Sequence, residues 1–483
     1  MMQQMSIFDG AQLFKIDKPI RLITLFSGYD SQALALKYLD VPFEHYRTCE
    51  WAISSIQALH DLHFADDKTD YSAGMNKAKL VEVLAKYGIS ADYNQPLTAE
   101  KIRRYGEDKL RTIYNNIKSA HNMVSIVNAK GKDLGIVDTE KYCYIMTYSF
   151  PCQDLSNAGL QKGMGKGSGT RSGLLWEVER LLKESKELPQ VLLMENVPQV
   201  IGKKNIGAFA EWIAFLDSLG YHSKWEVINA TEYAVPQNRQ RCFMVSVLGD
   251  HFYNFPKKIG NTRKLRDILE NNVPENYYLS EKILQYFINH TKECQEKGQG
   301  FKFEPSNGER IARTVTTRAG NRINDNFVAF YGIDCKQTSE EWILPPLKEK
   351  ARCIRTTGGG AVIEQTKRCI CVGMLGGKYE TLHDQTRRVY DIGGCAPTQH
   401  TVGGGNLETK ITDSDCKVRK LTERECFRLM GVKDEDFDKI SSNQSKSKLY
   451  HLAGDSIVTT CLMAIFGQIL DIDWEEKIRE VMK

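Results

Sequence analysis

Two short apolar runs, each ending in a chemically loaded turn, constrain this chain more than any other feature. Residues 144–150 form one run, closed by Pro151-Cys152-Gln153. A run of this length bounded by a turn residue reads as a buried strand of an α/β sheet. The cysteine then stands at the carboxyl end of a strand, where open α/β sheets place their ligands. A second run, 191–194, ends in Glu195-Asn196-Val197-Pro198. A candidate nucleophile and a candidate acid thus emerge from two strands onto one sheet edge.

The rhythm begins earlier. Residues 21–26 are a strand, Ser27-Gly28-Tyr29-Asp30 a turn, and Ala33, Leu34, Leu36 and Leu39 an apolar helical pattern. Residues 43–49 read as the next strand, ending in Glu50-Trp51. Glu50 follows Gly28 by 22 residues, close to the ~20 at which a dinucleotide fold places its ribose-binding carboxylate. Residues 60–132 break the rhythm: they are polar and helical, with Asn76 and Thr98 as caps and Gly88 as a stop, and read as an inserted lobe on the surface. After 144 the pattern resumes. A helix is expected over 174–183, preceded by a Gly/Lys/Ser-rich loop at 161–171, with strands at 191–194, 225–229 and 242–248.

At 483 residues, two or three folding units are expected. Net charge is only +4, yet residues 256–420 hold 27 Lys/Arg against 20 Asp/Glu, so the rest of the chain is slightly acidic. That suits a polyanion partner, although a solvated basic face gives the same count. No secretory signal opens the sequence, and no apolar stretch reaches the ~18 residues of a membrane span. The 13 cysteines include no C-x-x-C pair, so neither a zinc site nor a disulfide framework is indicated and a reduced cytoplasmic setting is expected.

Between 256 and 420 the texture turns to Gly, Thr and Asn. One pattern recurs three times: Ala312-Arg313-Thr314-Val315-Thr316-Thr317, Ala351-Arg352-Cys353-Ile354-Arg355-Thr356 and Ala396-Pro397-Thr398-Gln399-His400-Thr401. It serves equally as hairpin architecture or as loops offered to a nucleic-acid groove. Ahead of it, Arg239 and Arg241 alternate at strand spacing, so both point to one face and ask for an anion. Thr422-Glu423-Arg424-Glu425 is a capping box, and 456–470 is an apolar helix expected to return to the first sheet.

Taken in order, Phe26-Ser27-Gly28, Glu50-Trp51, Asp133, Ser149-Phe150-Pro151-Cys152-Gln153, Glu195-Asn196-Val197, residues 237–241, Arg424-Glu425 through Met430-Gly431, and Ala453-Gly454-Asp455-Ser456-Ile457 resemble the motifs of the C5-cytosine DNA methyltransferases. The resemblance implies a Rossmann-like S-adenosylmethionine-dependent sheet with helices on both faces over 1–255 and 421–483, plus a smaller β-rich target-recognition domain over 256–420. It implies S-adenosylmethionine held by Phe26, Ser27, Gly28, Tyr29, Glu50, Trp51, Asp133, Leu134, Pro151, Asp455 and Ser456. Glu50 would take the ribose hydroxyls, Trp51 the adenine ring and Asp133 the adenine amino group. The substrate would be a cytosine flipped out of duplex DNA. Cys152 would attack C6 as a thiolate of lowered pKa, protonated Glu195 would bind N3, and Arg239 and Arg241 would hold the O2 edge and a phosphate. DNA contacts are expected from Gln153, Ser156, Gln237, Arg318, Arg355 and His400.

The chain departs from the family pattern at Asp30, where a second glycine is usual, at Asp455, where asparagine is usual, and in the long insertion. No catalytic residue is lost, so an active enzyme is expected: a monomer in a prokaryotic or phage modification system, with or without a cognate restriction endonuclease, and no membrane partner. An RNA cytosine methyltransferase is the nearest rival, and a silent DNA-binding homologue the next. The recognition sequence is not legible.

Overall fold

The computed structural model describes residues 12–155, 163–331, 371–374, 388–391, 410–412 and 416–483. Of the expected DNA contacts, Ser156, Arg355 and His400 lie outside these residues, as do the second and third copies of the repeat. The chain divides into two compact units. The first comprises Met1–Arg263, Ala312–Arg318 and Glu423–Lys483; the second, Lys264–Ile311 and Ala319–Thr422.

Unit 1 is built on six strands: β1 (Ile20–Leu25), β2 (Phe43–Cys49), β3 (Cys143–Tyr148), β4 (Val191–Asn196), β5 (Tyr221–Asn229) and β6 (Gln240–Leu248). Their order is β2-β1-β3-β4-β6-β5. Strand β6 runs antiparallel to both its neighbours, while the pairs β1–β2, β1–β3 and β3–β4 are parallel. Every residue of β3 and β4 is buried, as the near-continuous apolar runs require of parallel strands covered on both faces. Alternation divides β3 between those faces. Tyr144, Met146 and Tyr148 share a core with Val178 and Leu181 of helix α6 (Leu175–Glu184) and Phe209 and Trp212 of α7 (Ile206–Ser218). On the opposite face Thr147 Oγ1 accepts a hydrogen bond from Gln32 of α1 (Ser31–Tyr38). Helices therefore cover both faces. The chain leaves β1 for β2 on one side and returns to β3 on the other, so a switch point opens at the carboxyl ends of β1 and β3.

The insertion is a lobe with its own core. Helices α2 (Ile53–His63), α3 (Lys77–Tyr87), α4 (Ala99–Arg103) and α5 (Glu107–Ser119) bury Ile56, Leu80, Leu84, Ile102, Leu110 and Ile113 together. The side chains of Asn76 and Thr98 accept from Lys79 N and Lys101 N, and Gly88 ends α3 in the left-handed region. Helices α8 (Glu423–Arg428), α9 (Asp434–Ser441), α10 (Lys446–Asp455), α11 (Thr459–Leu470) and α12 (Glu475–Val481) complete unit 1, and α11 packs on α1.

One correction falls here. Residues Lys446–Leu470 are long and apolar enough to cross a membrane by length and composition, but 83% of the most apolar window is buried inside the molecule. The apolar character is that of two consecutive core helices, broken after Asp455.

In unit 2 the helix Glu281–Glu296 lies over a pair of antiparallel strands, Phe327–Tyr331 and Cys416–Lys420. Its core gathers Phe287, Phe303 and Phe327, with ring centroids 5.2–5.5 Å apart. A further small sheet joins Cys371–Met374, Arg388–Asp391 and Lys410–Thr412. The first copy of the repeat belongs to unit 1, where Ala312–Arg313 pairs in parallel with Gln237–Asn238.

Candidate active site

The turn after β1 is shaped by left-handed residues. Phe26, Gly28 and Asp30 have φ of 59°, 59° and 63°, and Phe26 N and Ser27 N both donate to Cys49 O at the end of β2. Only Gly28 adopts this conformation without steric cost. Asp30 is held there by its own side chain, which caps α1 by accepting from Ala33 N and takes further bonds from Thr24 Oγ1 and His45 Nε2. The aspartate in the usual glycine's place thus exchanges backbone freedom for a network of local bonds.

Opposite the turn, Glu50 is 7% exposed. Its carboxylate accepts from Gly28 N at 2.9 Å and Ala52 N at 2.7 Å, which fixes both oxygens. Burial pushes its pKa up to about 7 despite these bonds. Asn122, where the chain re-enters from the insertion, clamps Glu50 from behind: Oδ1 accepts from Glu50 N and Nδ2 donates to Glu50 O.

The ends of β3 and β4 are tied to each other. Asn196 Nδ2 donates to Phe150 O at 2.9 Å, and Ser172 Oγ donates to Pro151 O. This braces the half-buried, free Cys152 next to Glu195, which is 8% exposed. Glu195 pairs with Arg241 at 3.0 Å. Burial raises the Glu195 pKa, while Arg241 and Arg239 oppose the rise. The Cys152 thiol is also raised by burial, with Arg241 pulling the other way. The expected lowering of the thiol is therefore overturned: its desolvation outweighs the nearby arginines.

These groups face one cavity of about 390 Å³, lined by Phe26, Ser27, Gly28, Glu50, Trp51, Pro151, Cys152, Gln153, Glu195, Arg239, Arg241, Asp455 and Ser456, all in unit 1. Five expected positions fall elsewhere. Tyr29 is a core residue, its hydroxyl on Ser456 Oγ and its ring against Phe427. Asp133 caps its own short helix by accepting from Lys130 N, and Leu134 is fully buried in the core. The cavity wall expected from these two is supplied by Val124, Ser125, Ile126 and Val127. Gln237, fully buried, is spent on Leu429 O and Val315 N and has no free edge for DNA. Arg318 is exposed.

Arg239 requires a further correction. It is 3% exposed, and its terminal nitrogens donate to the carbonyls of Val315, Gly454 and Ser456. It braces the cavity wall instead of holding a phosphate, leaving Arg241 beside Glu195. The sequence reading also missed Tyr93, Asn94, Arg171 and His451, which line the same cavity. No local pattern marks them, because each is brought there from a loop or helix far from the strand ends.

An open sheet with an antiparallel strand near one edge, and a glycine turn, buried carboxylate and cavity at its switch point, is the arrangement of an α/β enzyme that binds a nucleoside-containing cofactor. Within that class, residues 104–471 match the family model of the C-5 cytosine-specific DNA methylases, and the chain belongs to that family. It is 28% identical over 454 residues to the type II methyltransferase M2.ScrFI of Lactococcus lactis subsp. cremoris, covering 93% of this chain and 99% of that one. It is 36% identical over 284 residues to the orphan methyltransferase M.SssI of Spiroplasma monobiae, covering 58% and 72%. The fold is similar to that of the S. pombe Dnmt2 methyltransferase, with a TM-score of 0.51 at 15% identity over 93% of this chain and 98% of that one.

Proposed function

We propose that this enzyme methylates C5 of a cytosine flipped out of a specific double-stranded DNA sequence. The observation that carries the reading is the convergence of Cys152 and Glu195, from adjacent parallel strands, on the cavity that also holds Glu50. S-adenosylmethionine fits this cavity: a glycine turn with no side chain in the way, a fixed carboxylate for paired hydroxyls, and Trp51 for a flat ring. When bound it supplies an electrophilic methyl group on a sulfonium.

The protein's part follows from its residues. Cys152, its proton lost to solvent, adds through sulfur to C6, while Glu195 donates a proton to N3, which receives the electron pair displaced from the ring. Breaking the 5,6 double bond makes C5 nucleophilic toward the methyl group that the bound sulfonium would supply, with a neutral thioether as the leaving group. A base or water removes the C5 proton, N3 returns its proton to the Glu195 carboxylate, the 5,6 double bond re-forms and the Cys152 thiolate leaves. Arg241 keeps the Glu195 carboxyl oriented, and Arg239 keeps the α10 end and residues 312–318 in place around it.

Unit 2 is the proposed reader of base edges. One relative is named a type II methyltransferase and another an orphan methyltransferase, which supports a DNA-modification role with or without a cognate restriction endonuclease. Expression in a methylation-free host followed by bisulfite sequencing is expected to find 5-methylcytosine in one short shared context. Unmarked DNA from a folded, soluble preparation, or labelled methyl transfer to tRNA alone, overturns the proposal.

A further inference from the structure

We infer that the tip of the helical insertion is part of the cofactor site, with Tyr93 and His451 as cofactor-binding residues. The inference rests on the reading of the cavity given above and concerns residues that none of the motifs contains.

The insertion does not end as a remote lobe. Its segment 90–95 folds back beside the sheet, where Ser90 N donates to Trp51 O and Ile53 N to Ser90 O. The Asp92 carboxylate accepts from Asn94 N at 2.9 Å and holds a tight turn. That turn forces Tyr93 to φ 62°, a conformation an aromatic L-residue adopts only at a steric cost. The strained ring is then fixed on all sides. Its hydroxyl bonds Ser54 Oγ and Ser55 Oγ at 2.7 and 3.0 Å, and its face stacks on His451 of α10 at 4.0 Å and 20°. Lys448 lies 5.2 Å from the ring centroid and donates to Ala91 O.

Tyr93, Asn94 and His451 all line the cavity, and Tyr93 feels the charges of both Glu50 and Asp455. The stack therefore closes the end of the cavity that those two carboxylates bound. His451 Nδ1 is buried there without a hydrogen-bond partner. An unpaired buried ring nitrogen on a cavity wall is costly until something fills it. A polar group of the bound cofactor, at its ribose or amino-acid end, is the missing partner. The backbone strain at Tyr93 positions the stack that holds the His451 ring at the cavity wall.

Two variants test this with DNA-free protein and S-adenosylhomocysteine in a calorimeter. His451→Phe keeps the stack on Tyr93 and removes only the ring nitrogens; Tyr93→Ala removes the stack. Each is expected to weaken binding about tenfold. The cofactor KM should rise in parallel, while kcat at saturating cofactor and the DNA KM stay within about twofold of wild type. Tyr93→Phe should restore most of the affinity. If Tyr93→Ala lowers Tm sharply, His451→Phe alone decides. Wild-type binding with unchanged affinity in His451→Phe overturns this inference and leaves the proposed function standing. Failure of wild-type protein to bind S-adenosylhomocysteine at all removes both.

Discussion

Cys152 and Glu195 share a desolvated wall, and burial drives both toward their neutral forms. For the carboxyl this suits the proposed chemistry, which needs a proton to give; for the thiol it opposes it, so ionisation waits on the substrate and on Arg241. The consequence is a defined pH dependence. The rate rises with pH as the thiol ionises, until loss of the Glu195 proton offsets the gain and the profile levels. Glu195→Gln cannot supply that proton, so its kcat/KM should fall by roughly 10²–10⁴ and keep rising with pH where wild type has levelled. A methyl-transfer pH profile checks both features. Cys152→Ser should lose transfer and all covalent trapping on 5-fluorocytosine DNA, yet bind cofactor as wild type does.

Glu50 gives a second titration with the opposite functional sign. Its pKa is raised in the fold, so the stability it contributes is complete below about 4.5 and is lost as pH rises through about 7. The shift amounts to roughly 3 kcal/mol. Glu50→Gln should therefore be the more stable protein in urea at pH 8, with the difference vanishing near pH 4.5. The same substitution should weaken S-adenosylhomocysteine binding, because donors on the ligand prefer the ionised carboxylate. Wild-type affinity should accordingly improve from pH 6 to 8. These residues were legible in the sequence because each follows an apolar strand directly. Asp133, Tyr29 and Gln237 were misassigned because motif order says nothing about where a side chain's bonds are spent.

At the scale of elements, the cavity wall depends on how α10 ends. Gly454 passes so close to residues 316–317 that a Cβ there would lie 2.3 Å from Thr316 C and Thr317 N. Both are backbone atoms and cannot swing aside. Arg239 bridges the same two segments through Val315 O and Gly454 O. Gly454→Ala should therefore cost about 1–3 kcal/mol in urea unfolding and also slow methyl transfer, since it pushes apart what Arg239 joins. A variant that keeps wild-type stability and rate would show the contact to be loose. Sequence periodicity found the strands and the capped helices of the insertion, where patterns are local. It did not reveal that Ala312–Arg313 pairs with Gln237–Asn238, because a two-residue parallel contact across more than seventy positions leaves no periodic trace.

For the whole molecule, the decisive fact is that, among the described residues, every one lining the cavity belongs to unit 1, although unit 1 is drawn from three separate stretches of chain. The returning helices α10 and α11 are what make this possible, bringing His451, Asp455 and Ser456 to the carboxyl ends of β1 and β3. The apolar character of residues 456–470 announced a core return in the sequence; residues 446–455 and the segment at 312–318 had no such signal. A ligand that binds only the native form stabilises what it touches, by about 2.7 kcal/mol at a hundredfold excess over Kd. Hydrogen exchange with S-adenosylhomocysteine at that concentration should therefore slow in peptides covering 24–32, 48–55, 90–95, 122–127 and 449–457. Peptides covering 264–311 should exchange as in the free protein. Equal protection in both sets would mean that the cofactor acts on unit 2 as well, and that the proposed division of the chain into a chemical unit and a reading unit is wrong.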